Sequence, residues 1–234
     1  MLGIMAFSFR DYVRSYRYIG PMLVFGLALF FIYSVVPNPV MPSYSLTAAL
    51  LFLIASWLGF GYVDVQDETQ RMIGMLHAGG RTRYDIGRTA VMVVWTAVMS
   101  VITVVYPILL GKFDRDPSIG EALFSLIGHA GLGMLGIAVS CLFTYRLIAK
   151  LSYAIIGLML VSALSLAAGG ISEALPESLA WLSWLLPPVF PLIDAFDRYE
   201  KLTLAYRTAV LIAPWVYGAA LFGIFHRLSA VKKL

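Results

Sequence analysis

Six stretches of this chain carry no Asp, Glu, Lys or Arg: Tyr18–Val36, Tyr44–Val63, Thr89–Gly111, Ala122–Tyr145, Leu151–Gly170 and Thr208–Phe225. Each approaches the roughly 20 apolar residues that an α-helix needs to cross a bilayer. No other feature restricts the fold as strongly. Inside hydrocarbon every backbone N–H and C=O must be paired within the protein, so only helices and closed barrels can span. A barrel would show alternation of period two, and these runs show none. The pattern predicts an all-α membrane protein of one domain, residues 1–234, with six transmembrane helices.

Composition agrees. Charged residues make up 13% of the 234, hydrophobic residues 60%, and the mean hydropathy is +0.84. A soluble domain carries about 25% charged residues. Twelve of the seventeen Lys and Arg fall at the N-terminus, between runs two and three, between runs four and five, and at the C-terminus. Eight of the thirteen acids fall on the opposite side. Basic residues stay on the cytoplasmic side, so both termini are expected in the cytoplasm of a multi-pass protein of the cell membrane. The net charge of +4 is therefore mostly orientation charge and gives no reason to expect nucleic acid as a partner. The single cysteine, Cys141, lies within run four and excludes both an intramolecular disulfide and a Cys-based metal site.

Two segments do not read as simple spans. Residues 1–17 form an expected interfacial helix, with Met5, Phe9, Tyr12, Val13 and Tyr16 on one face and Arg10, Arg14 and Arg17 turned toward lipid phosphates. Ser178–Ile193 is apolar but broken by Pro187, Pro188 and Pro191. It is expected as a re-entrant or outer-surface element within the outer loop 171–206, just before the last helix.

The most informative polar stretch is the insert 64–88. Asp67, Glu68 and Thr69 start a short helix, where acids favour the first turn. Met72, Met75 and Leu76 then form an apolar ridge, and Gly79-Gly80 ends the helix before a second, basic one. So compact a patterned surface reads as a docking site for a soluble protein. Gly131-x-Gly133-x-x-Gly136 matches a nucleotide-binding spacing, but no strand precedes it and no acid follows it before Glu173. Close helix packing explains it. His129 lies inside run four and is read either as pairing with a neighbouring helix or as lining a pathway. Thr47, Ser56, Trp57 and Phe60 bring polar and aromatic groups into run two and are candidates for the same pathway. No catalytic constellation and no metal-binding spacing occurs, so the chain is not expected to be an enzyme.

Together the basic N-terminal helix, the insert carrying Glu68, Arg71, Leu76, Gly79, Tyr84, Gly87 and Arg88, and the Pro187–Phe196 segment before the last run resemble the permease subunit of an ABC-2 type (type V) transporter. The resemblance covers nearly the whole chain. It implies an exporter subunit that moves an amphipathic or hydrophobic peptide, lipid or drug. It implies a separate ATPase subunit, holding ATP and Mg, that seats the insert's first helix through Glu68, Arg71, Met72, Met75 and Leu76. It implies a second permease copy or paralogue, with runs two and five as the walls between the pair. The competing reading is a membrane sensor or scaffold whose insert docks a signalling protein.

Overall fold

The computed structural model describes residues 1–144, 147–148 and 150–231. Tyr145 and Arg146, in the expected hairpin between runs four and five, and Lys232 and Lys233, counted toward orientation, lie outside the described residues. The elements among the described residues are helices: α1 (Leu2–Arg14), α2 (Ile19–Ile32), α3 (Val40–Val63), α4 (Glu68–His77), α5 (Arg81–Leu109), α6 (Ile119–Cys141), α7 (Leu151–Leu166), α8 (Ala168–Ala174), α9 (Phe190–Asp197) and α10 (Leu204–Val231), with 3-10 segments at Glu177–Leu185 and Tyr199–Lys201. Four helices, α3, α5, α6 and α10, are long and apolar enough to cross a membrane. The number rises to six if each of two bent pairs counts as one span: α1 with α2, bent by 81°, and α7 with α8, bent by 70°. The chain is thus an all-α protein of multi-pass membrane type.

Helix bounds follow local chemistry. Pro39 is the N-cap of α3, which therefore begins four residues ahead of the apolar run, and Pro42 is tolerated in its first turn. Ser118 and Glu121 close a reciprocal capping box at the start of α6. The third apolar run is only part of α5, which continues without a break into the basic end of the insert at Arg81. At 29 residues α5 is about 43 Å long at about 1.5 Å per residue. By contrast α2 has 14 residues, about 21 Å, less than the hydrocarbon thickness of about 30 Å.

At the centre of the bundle stands α6, with α3, α5 and α10 packed around it. Every residue from Gly131 to Cys141 is buried. The glycine motif makes this possible by facing three different neighbours. A Cβ at Gly131 would stand 2.9 Å from Trp215 of α10, one at Gly133 2.9 Å from Thr96 of α5, and one at Gly136 2.5 Å from the Phe52 carbonyl oxygen of α3. From the α3 side, a Cβ at Gly59 would stand 3.1 Å from the Ile137 Cα. Backbones this close gain dispersion contacts that lipid, as apolar as leucine, does not replace.

At the end of the bundle away from both chain termini, the loops are tied together. Asn38 N–H donates to the Lys112 carbonyl at 3.0 Å and Asp114 N–H to the Asn38 carbonyl at 2.9 Å. Arg115 grips both Glu121 carboxylate oxygens, at 2.8 and 2.5 Å, and reaches Glu200 at 3.7 Å. The Glu121 carboxylate holds the Arg115 guanidinium above its ordinary pKa. α9 lays Leu192, Ala195 and Phe196 onto this end of α3, and the Ser45 hydroxyl of α3 donates to the Ile193 carbonyl.

Replacing Gly136 by Leu is expected to lower stability by at least the 1–3 kcal/mol or so typical of overpacking, because the obstructing atom is backbone. Gly223, with nothing within 4 Å of its Cβ position, should accept Ala without loss. Thermal unfolding of the two purified variants in detergent checks both outcomes.

Candidate functional site

The insert occupies one end of the bundle, together with α1 and the last turns of α10. Its first helix starts where the acids do: the Asp67 side chain accepts from Gln70 N–H at 2.7 Å. It ends on Gly79 and Gly80, at φ +71° and +139°. Both angles disfavour any side chain, and the pair turns the chain sharply from α4 into α5.

A ten-residue helix is not stable alone in water, so its seat decides its conformation. The seat is built from Arg71 and Gly74. Arg71 points inward to Asp85 of α5, with Nη2 to Oδ1 at 3.4 Å and side-chain exposures of 5% and 6%. Arg81 approaches the other carboxylate oxygen at 3.5 Å and donates to the Ser229 carbonyl near the end of α10. Gly74 lets α4 lie against the ring of Tyr84, where an added Cβ would stand at 2.5 Å. Tyr84 in turn donates to Gln66, in the connection between α3 and α4. One buried carboxylate thus joins α4, α5 and α10.

Two further arginines finish α3 at the same place. Arg88 donates to the Tyr62 and Val63 carbonyls, both at 3.1 Å, and its guanidinium lies 5.1 Å from the centre of the Tyr62 ring. Arg17 donates to the carbonyls of Gly61 at 3.4 Å and Asp64 at 3.1 Å. Cations at a helix C-terminus satisfy orphan carbonyls and suit the dipole.

The five residues read as a docking set therefore divide. Glu68, Met72 and Leu76 are exposed, Met72 by 55% and Leu76 by 76%, Met75 is half-buried, and Arg71 is buried. Ile73, absent from the expected ridge, is 50% exposed and completes an outward surface with Met72 and Leu76. Beside it runs a groove of ≈ 700 Å³ between α4 and α1, lined by Ile4, Phe7, Gln70, Ile73 and His77. All three arginines assigned to the membrane surface, Arg10, Arg14 and Arg17, are exposed, and Arg17 also donates to the carbonyls that end α3. The other face of α1 meets protein. Ser8 and Tyr12 are buried, Tyr12 donates to the Leu58 carbonyl at 3.2 Å, and Gly87 of α5 brings Ile4 within 2.9 Å of its Cβ position. Phe9 lies 5.4 Å from Trp95, ring to ring.

The candidate pathway residues fall in two places. Ser56, Trp57 and Phe60 line a groove of ≈ 670 Å³ between α3 and α7, facing Leu158, Met159 and Ser162. The Ser56 hydroxyl donates to the Phe52 carbonyl. The Ser162 hydroxyl is buried without a partner among the described residues. Thr47 and His129 are fully buried between α3 and α6 and meet each other at 3.0 Å. His129 Nδ1 is 2.7 Å from the Ser125 carbonyl, which can only accept. Nδ1 therefore donates to that carbonyl, and Nε2 faces the Thr47 hydroxyl, which is also within reach of the Ser43 and Tyr44 carbonyls. The pair is an interhelical clasp. Among the described residues no three of His, Cys, Asp and Glu stand close enough to hold a metal ion.

Sequence reasoning did not single out Asp85, Gln66 or Ile73. Only Asp85 left a signal, as an acid four residues after Arg81 in an otherwise basic helix start. No family model, curated protein or solved structure matches this chain.

Asp85→Asn removes the buried carboxylate that Arg71 and Arg81 share. The expected cost is about 3–5 kcal/mol, as for other broken buried pairs, concentrated at the insert. Amide hydrogen exchange should then accelerate across 68–78 with little change in 124–141. Equal protection of 68–78 in both proteins would contradict this account of the seat.

Proposed function

We propose that this chain is the permease subunit of an ATP-driven exporter of the ABC-2 type, working with a separate ATPase and a second permease copy or paralogue. One observation carries the reading: α4 presents Met72, Ile73 and Leu76 outward while a buried ion pair and a glycine contact lock it to α5. An exposed apolar ridge on a firmly seated short helix suits transmission of force from a docked partner. The twelve basic residues that the sequence groups with the insert and the termini support a cytoplasmic placement, where an ATPase would be found.

In this reading Glu68, Met72 and Leu76 touch the ATPase and Arg71 is a positioning residue. ATP and Mg belong to the partner. The α3–α7 groove, with Ser56, Trp57, Phe60 and the unpartnered Ser162 hydroxyl, suits an amphipathic or hydrophobic substrate with one hydrogen-bonding group. Thr47 and His129 brace the wall from behind. The six-span topology pairs α7 with α8 as one bent span, and the segment through α9 is the re-entrant element before the last span. Arg10 and Arg14 meet anionic lipid at the inner surface.

The test is co-purification from the native membrane. Met72→Asp with Leu76→Asp should cut recovery of an ABC-type ATPase at least tenfold while the protein stays membrane-inserted and monodisperse. Full ATPase recovery with the double variant would overturn the docking assignment. Recovery of a non-ATPase signalling protein from the wild type would favour the scaffold reading.

A further inference from the structure

Two consecutive residues just past α6 touch two different parts of the molecule. Thr144 is buried and lines a small cavity at the seat of the insert, together with Arg71, Asp85, Arg88, Thr89 and Ser229. Its neighbour Phe143 reaches α7. There the ring edge fills a notch at Gly157, where an added Cβ would stand 2.6 Å from the ring.

Both residues are held in place by short-range hydrogen bonds. Leu142 N–H donates to the Val139 carbonyl at 3.1 Å and Phe143 N–H to the Ser140 carbonyl at 3.0 Å. Bonds of this i to i+3 kind tighten the last turn of a helix, so the pair is a stiff extension of the buried end of α6. Thr144 then starts the next turn: its carbonyl accepts from Leu147 N–H at 3.1 Å and from Ile148 N–H at 2.9 Å. On the α7 side the contact is positional. Leu158, beside Gly157, is packed in the same apolar cluster as Phe143. Shifting α7 along the ring would bring the side chain of Ile156 or Leu158 against it. α7 is also the helix on which a single contact counts most, because it buries only Ala154, Leu158, Ser162 and Ser165.

We propose that Phe143 and Thr144 form a relay that passes the position of the insert to α7. Close-packed interiors transmit displacement, and coupling between distant sites is carried by chains of packed side chains. Arg71 and Asp85 fix α4 on α5 and share a cavity with Thr144. A rearrangement there moves the turn that holds Thr144, and Phe143 on the same turn carries it to Gly157. The groove between α3 and α7 then changes width. Phe143 is a positioning residue in this scheme. The relay joins two parts of one chain, so it does not rest on the transport reading.

The test uses the full chain in detergent, spin-labelled at Leu53→Cys of α3 and Met159→Cys of α7. Both positions are exposed on the walls of the groove, and the native Cys141 is buried and left in place. Asp85→Asn loosens the seat, with Gly74→Ala as the substitute where that variant does not fold. Faster amide exchange across 68–78 reports the loosening. Pulsed electron resonance should then show the α3–α7 distance distribution at least twice as broad, and Phe143→Ala should abolish this response to the seat variant. An unchanged distribution despite faster exchange across 68–78 overturns the relay. Equal broadening with and without Phe143→Ala overturns it too, because α7 then senses the seat by another route. Unaccelerated exchange in both seat variants removes the starting point of the relay and overturns it as well.

Discussion

The contact between α3 and α6 is the one on which everything else hangs. In lipid no hydrophobic force presses two apolar helices together, so association depends on close dispersion contact and on hydrogen bonds. Gly59 and Gly136 supply the first by removing side chains from the crossing. Thr47 and His129 supply the second about three turns away along α3. With the two helices fixed, α6 offers Gly133 to α5 and Gly131 to α10, and α3 offers its outer end to α9. A single substitution at the crossing therefore disturbs helices that never touch it.

The two ends of the bundle solve the orphan-carbonyl problem differently. Where the termini gather, arginines do it: Arg17 and Arg88 both reach the last carbonyls of α3. At the other end, loop backbone pairs with loop backbone through Asn38, Lys112 and Asp114, and Ser118 caps α6. The first solution brings the buried guanidiniums of Arg71 and Arg88 to one cavity with the Asp85 carboxylate. Of the two arginines that complete this helix end, Arg88 is buried and Arg17 exposed.

What could be read from the residues alone was whatever depends on a single segment. The apolar runs, the Asp67 start of α4 and the Gly79-Gly80 stop are local and were legible. The packing role of the glycines at 131, 133 and 136 was legible, but their three separate partners were not, because periodicity reports one face and not what covers it. The ridge on α4 was assigned to Met72, Met75 and Leu76 by spacing. The structure turns Ile73 outward and leaves Met75 half-buried, because the inward direction is set by Tyr84 and Asp85, ten or more residues further on. Arg17 illustrates the same limit. It is exposed like Arg10 and Arg14, and only the fold shows that it also reaches the end of α3.

Stiffness is distributed unevenly, and that restricts how motion at α4 can reach the rest. α4 is fixed to α5 by charge and close contact, and α5 is a continuous helix to Leu109. A few residues beyond its far end, Lys112 and Arg115 tie the chain to the Asn38 loop, to Glu121 and to Glu200. A displacement imposed on α4 must therefore move α5 as a rod, and the far end resists separation. Among the long helices α7 is loosely held. It buries only Ala154, Leu158, Ser162 and Ser165, meets the bundle through α3, and ends in the 70° bend to α8. A change of state needs an element with two sets of contacts of similar free energy. α7, with few buried residues and a groove at its side, is freer to change its contacts than the glycine-packed α3–α6 pair, with backbone already against backbone.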